Sequence, residues 1–170
     1  MDIITFKATF PLIIISLVLS IFMITTSDGV NYNNIAVIFV TSLLIAIYEE
    51  VIFRGIGLGT FLSSGISPLK AIFLSSIIFS FSHALSITTM GFNIIFLLLN
   101  TFIMGFILGY IYYKTKNILL VIVIHFLWDF TVFINEKLPT VKIGTVTTII
   151  LFTTTILYFS WSIKKIRQID

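Results

Sequence analysis

Apolar stretches long enough to cross a lipid bilayer recur along this chain, and that recurrence limits its fold more than any other feature. A membrane-spanning helix needs about 20 mostly apolar residues. Six segments approach that pattern: about Phe10 to Thr26, Ile35 to Tyr48, Ala71 to Ile87, Phe92 to Tyr113, Ile118 to Ile134 and Thr145 to Ile163. Hydrocarbon offers no partner to a backbone N–H or C=O, so runs of this kind must satisfy their own hydrogen bonds as helices. The expected architecture is therefore all-α: a polytopic membrane protein of about six transmembrane helices in one bundle. Residues 1–170 read as a single integral-membrane domain, with no room for a soluble one. Composition agrees. Charged residues make up 10% of the chain, against roughly 25% in a soluble domain. A soluble enzyme, a nucleic-acid binder and a disordered chain do not fit this sequence. With no cysteine, disulfides, thiol catalysis and thiolate metal sites are out as well.

Polar punctuation separates the segments. Asp28–Asn34 reads as a turn, Lys114–Asn117 as a tight connection and Asn135–Gly144 as a loop with one proline. In the Ser63–Pro68 loop, Ser67 and Pro68 are placed as N-cap and first-turn residue of the third helix. The first segment follows an early Lys7 and lacks a small-residue cleavage pattern. It is expected to be a retained membrane helix rather than a signal peptide. Six spans put both termini on one side, together with eight of the 10 Lys and Arg residues; Lys137 and Lys142 are the exceptions. The positive-inside rule then makes both termini cytoplasmic, in a multi-pass protein of the cell membrane. The pairs Gly55/Gly59 and Gly105/Gly109, each spaced i, i+4, read as sites of close helix approach. Tyr110, Tyr112, Tyr113, Tyr158 and Trp161 read as interfacial aromatics.

Loops and helix ends account for every charge except Glu49, Glu50, Arg54 and Asp129, and both histidines, His83 and His125, also fall inside apolar segments. An ionisable group within a bilayer costs several kcal/mol on most scales and marks a functional site by default. Glu50 and Arg54 are spaced i, i+4 and can form a supporting ion pair on one helix face. Glu49 is rotated by about 100° from Glu50 and would point elsewhere. His125 and Asp129, again i, i+4, can share a face. For Glu49 to lie as deep as His83, the second helix must continue through Ile56–Leu62. The site is then expected between the cytoplasmic half and the midplane, reached through a water-filled cleft.

A carboxylate can take a proton from water and later return it to a leaving amine. Imidazoles can hold that water, donate to a developing oxyanion or bind a metal. Two histidines with one glutamate are a known zinc ligand set, so Glu49, His83 and His125 are the candidate ligands should a metal be bound. No Ser or Cys sits in a nucleophile motif, and Ser82 faces about 100° away from His83. Direct attack of activated water on an amide is the favoured chemistry. A proton-coupled transporter with a buried Glu/His relay is the rival from another class.

The three motifs resemble a known family. Glu49-Glu50-Val51-Ile52-Phe53-Arg54 reads EExxxR, Phe79-Ser80-Phe81-Ser82-His83 reads FxxxH, and His125-Phe126-Leu127-Trp128-Asp129 reads HxxxD. In this order they look like the motifs of the CPBP (Abi) family of CAAX prenyl endopeptidases and bacteriocin-processing or immunity proteins. The motif core is 49–129. The resemblance implies a membrane peptidase in which Glu49 and His83 activate water, with Glu49 as general base. Glu50 assists or is held by Arg54, and His125 with Asp129 stabilises the oxyanion. The family has Asn or Asp at the last position, and an ionised Asp129 cannot donate a hydrogen bond. Either Asp129 carries a proton or it serves to orient His125. HExxH is absent, so metal-free, glutamate-activated water is preferred over zinc. The substrate would be a membrane-associated peptide or protein. This small, Ile- and Phe-rich chain has a bacterial character, which favours a peptide precursor over a prenylated terminus. A bacteriocin self-immunity protein using the same site is the alternative within the family.

Overall fold

The computed structural model describes residues 3–26, 32–86, 94–137, 153–154, 156–158, 160–161 and 164. Among the described residues the regular structure is helical, with no strand. The elements are α1 (Ile3–Thr26), α2 (Tyr32–Glu50), a π-helical segment (Val51–Leu58), α3 (Gly59–Ser63), α4 (Pro68–Ser82), a 3₁₀ turn (His83–Ser86), α5 (Ile94–Thr115) and α6 (Ile118–Lys137). Five expected spans coincide with helices. The sixth, about Thr145 to Ile163, lies largely outside the described residues, and those described within it are helical. Two stretches are long and apolar enough to cross a membrane, Asn33–Ser63 and Ile94–Thr115; Phe10–Thr25, Pro68–Ser82 and Ile118–Ile134 are shorter apolar helices.

Burial supports a lipid environment. Along α2 the large apolar side chains Val37, Val40, Leu44 and Tyr48 are exposed, whereas Ser42, Glu50, Arg54, His125 and Thr131 are buried. Water as solvent would favour the reverse, because exposed contiguous apolar surface is rare on soluble monomers.

The chain forms two compact units. The first comprises Met1–Glu50 and Leu119–Thr154, the second Val51–Ile118 and Thr155–Asp170. In the first unit Met23, Ile38 and Ile134 form a core, against which Ile24, Phe130 and Phe133 pack. Phe39 of α2 meets Phe126 and Phe130 of α6 edge-on, at 4.9 and 5.7 Å between centroids. The hydroxyls of Ser20 on α1 and Thr131 on α6 lie 2.8 Å apart. A polar pair of this kind joins helices where lipid supplies no hydrophobic drive, at about 0.6 kcal/mol on average.

In the second unit α4 packs on α5. A Cβ on Gly105 would come within 2.9 Å of Phe79 Cδ1 and 3.3 Å of Ser76 Cα, and one on Gly109 within 3.2 Å of Ile72 Cγ2. That spacing is a close-approach seam, as the sequence predicts. Gly55 and Gly59 are not: Gly55 is exposed, and a Cβ on Gly59 would touch only Arg54 O, at 4.0 Å. They flank Gly57 in and after the π segment, where glycine weakens the α-helical preference by roughly 1 kcal/mol per residue. Ser75 Oγ of α4 donates to Phe53 O of that segment at 2.9 Å.

The ends of α4 show how one element matches expectation at one terminus and departs at the other. Ser67 is the N-cap and Pro68 follows at the first turn, with Ala71 N–H bonded to Ser67 O at 2.9 Å. At the other end the helix stops at Ser82, and His83 is its C-cap instead of an interior residue. Likewise α6 runs to Lys137, taking up the first residues of the expected Asn135–Gly144 loop. Tyr110 and Tyr158 are buried and both meet Trp161, at 5.8 and 5.1 Å. These two tyrosines therefore pack against protein side chains.

Candidate active site

In the first unit, helix packing gathers Glu49, Glu50, His125 and Asp129. α2 ends on the two glutamates, and α6 presents His125 with Asp129 one turn later. Glu50 is fully buried and His125 is 3% exposed. Glu50 Oε1 lies 2.7 Å from His125 Nδ1, the length of a charge-assisted N–H···O bond. When Glu50 is ionised its carboxylate only accepts, and the ring then donates from Nδ1. The other ring nitrogen, Nε2, lies 3.6 Å from Glu49 Oε2 and 3.5 Å from Asp129 Oδ2. Both distances exceed a direct N–H···O bond.

The sequence aims Glu49 away from Glu50. Instead His125 occupies the angle between them, and each carboxylate faces a different ring nitrogen. Asp129 shares the face of His125, as its spacing predicts, but Glu50 makes the shorter, orienting contact. Side-chain exposure rises from 0% at Glu50 to 17% at Glu49 and Asp129. Glu50 is thus sealed on the Nδ1 side, whereas Glu49 and Asp129 on the Nε2 side keep some exposure, although the Glu49 Oε2 that faces Nε2 is itself buried.

The second unit holds Arg54 and His83. Arg54 sits in the π-helical segment, so the Glu50–Arg54 spacing crosses from an α- to a π-helical backbone. π segments are rare and recur at functional sites. The helical run continues to Ser63, the continuation that a deep Glu49 requires. The Arg54 guanidinium is 1% exposed. Its Nη2 donates to Gly105 O at 3.2 Å, and its Cζ lies 4.5 Å from the Phe79 ring centroid. His83 Nδ1 lies 3.0 Å from Phe79 O. A carbonyl only accepts, so this contact places the hydrogen on Nδ1 and the lone pair of the neutral ring on Nε2. Ser82 Oγ is 3.3 Å from the same nitrogen, but its hydroxyl donates to Phe79 O at 2.6 Å. That is not the geometry of a serine activated by a base.

Phe79 contacts His83 twice. Its carbonyl and its ring both reach His83, the rings meeting edge-on at 5.0 Å. The i, i+4 spacing of FxxxH is the available signal, because it stacks the two side chains on one face. Among the described residues, no group of three or more His, Asp and Glu side chains is arranged to hold a metal ion.

Ionisable side chains gathered inside apolar helices mark a candidate functional site in a membrane protein. The chain matches the type II CAAX prenyl endopeptidase Rce1-like family over residues 31–131, a stretch that contains all three motifs. It belongs to that family, and at the family level it is a CAAX-protease-type intramembrane endopeptidase. No curated protein and no solved structure matches it.

Proposed function

We propose that this protein hydrolyses a peptide bond of a membrane-associated peptide or protein by direct attack of water, with Glu49 as general base. The observation that carries this reading is the convergence of Glu49 and Asp129 on Nε2 of an imidazole whose Nδ1 is held by buried Glu50. Glu49 accepts a proton from water as the oxygen bonds to the scissile carbonyl carbon. The tetrahedral intermediate then collapses, the C–N bond breaks, and Glu49 returns the proton to the leaving nitrogen. His125, when it carries a proton on Nε2, and Asp129, when it is protonated, can donate to the oxyanion. The family resemblance adds His83 as a second group on the attacking water, and its Nε2 lone pair suits that role. Protein groups supply every proton transfer in this scheme, so the activity is proposed to be metal-independent and to survive thorough chelation.

The test is cleavage of a membrane-embedded peptide by Glu49→Gln and His83→Ala at equal expression. Removing a general base lowers the rate by about 10²–10⁴-fold. Full activity in both variants would sink the hydrolase reading. Parallel substrates with and without a prenyl group separate a lipidated terminus from an unmodified precursor.

A further inference from the structure

Three residues outside the acid–imidazole cluster, Arg54, Phe79 and Gly105, form a closed circuit that reaches His83 through Phe79. The guanidinium of Arg54 lies over one face of Phe79 and is anchored at Nη2 by Gly105 O. Gly105 lets α5 come close enough for its backbone to abut the same ring, since a Cβ there would fall 2.9 Å from Phe79 Cδ1. Phe53 braces the ring edge-on at 5.1 Å. Phe79 is 2% exposed. Phe79 in turn contacts His83 twice, through its carbonyl at Nδ1 and through its ring. His83 caps α4 and opens the 3₁₀ turn, where a continuing helix no longer fixes its side chain.

We propose that Arg54, Phe79 and Gly105 are positioning residues that lock the His83 ring with hydrogen on Nδ1 and the lone pair on Nε2. This rests on the reading of His83 as a water-activating group. It assigns the arginine of EExxxR to the histidine of FxxxH, and it makes Gly105 part of the machinery. A cation over an aromatic face is strengthened by desolvation, and here the guanidinium is almost wholly buried. A small misplacement of a catalytic group can cost up to about 100-fold in rate.

The test uses the full-length protein in nanodiscs with ¹⁵N-labelled histidine. The chain has 2 histidines, so the His83 ring signals are assigned by difference. Arg54→Ala strips a buried guanidinium and can unfold its unit, so Gly105→Ala and Phe79→Leu carry the test. Phe79→Leu keeps the carbonyl while removing the ring. In both variants the ring nitrogens are expected to change from one Nδ1–H tautomer to a mixture, with kcat down about 10- to 100-fold and KM unchanged. Phe79→Tyr, which keeps the ring, should restore the single tautomer. Unchanged ring signals in both variants overturn the proposal. Altered signals with wild-type cleavage support the positioning but overturn the role of His83 in the chemistry.

Discussion

Replacing Glu50 separates orientation from chemistry, because it is the sealed carboxylate of the pair. Glu50→Gln preserves shape and can offer an amide oxygen to His125 Nδ1–H, so the 2.7 Å contact survives as a neutral hydrogen bond. A hydrogen bond to a charged group contributes about 1.5–3 kcal/mol and a neutral one about 0.5–1.5. The difference, roughly 1–1.5 kcal/mol, corresponds to about tenfold in rate if it appears in the transition state. Glu50→Ala instead leaves the buried ring without its partner, and breaking a buried pair from one side costs about 3–5 kcal/mol of stability. The assay is kcat and KM on a membrane-embedded peptide, with reversible unfolding of the same preparations. Glu50→Gln should lose about tenfold in kcat with its stability nearly intact. Glu50→Ala should lose both, and Glu49→Gln should lose activity with little stability. Glu50→Gln as inactive as Glu49→Gln would show that Glu50 itself moves the proton. Glu50→Gln equal to wild type would remove the Nδ1 contact from the mechanism.

Two further outcomes follow from the same contacts. Asp129→Asn keeps the shape beside His125 Nε2 and supplies an N–H donor, so cleavage should stay close to wild type. Asp129→Leu should fall about 100-fold, the scale of losing one oxyanion donor; equal loss in both would show that the carboxyl proton or charge is what matters. Thr131→Val removes the hydroxyl that meets Ser20 and should destabilise by about 0.6–1.7 kcal/mol without touching kcat. A double-mutant cycle with Ser20→Ala reads the coupling, and strict additivity would refute the pair.

Much of this protein is written in its local pattern. Apolar runs broken by short polar turns are enough for an all-α membrane chain, because lipid leaves the backbone no alternative. The costly groups Glu49, Glu50, Arg54, His83, His125 and Asp129 stand out for the same reason, and the Gly105/Gly109 seam and the His125–Asp129 face follow from helical period alone. What the period cannot supply is rotation of one helix against another. Glu50 and His125 are 75 residues apart, and Arg54 and Gly105 are 51. Which carboxylate faces which nitrogen, and which carbonyl receives the guanidinium, depend on how separate helices turn and approach. The π-helical segment after Glu50 and the end of α4 at His83 are likewise set by packing, through Ser75 on Phe53 O and the aromatic contacts of Phe79. The residues of the chemistry are therefore legible along the chain, whereas their division of labour arises only when side chains distant in sequence come within hydrogen-bonding reach.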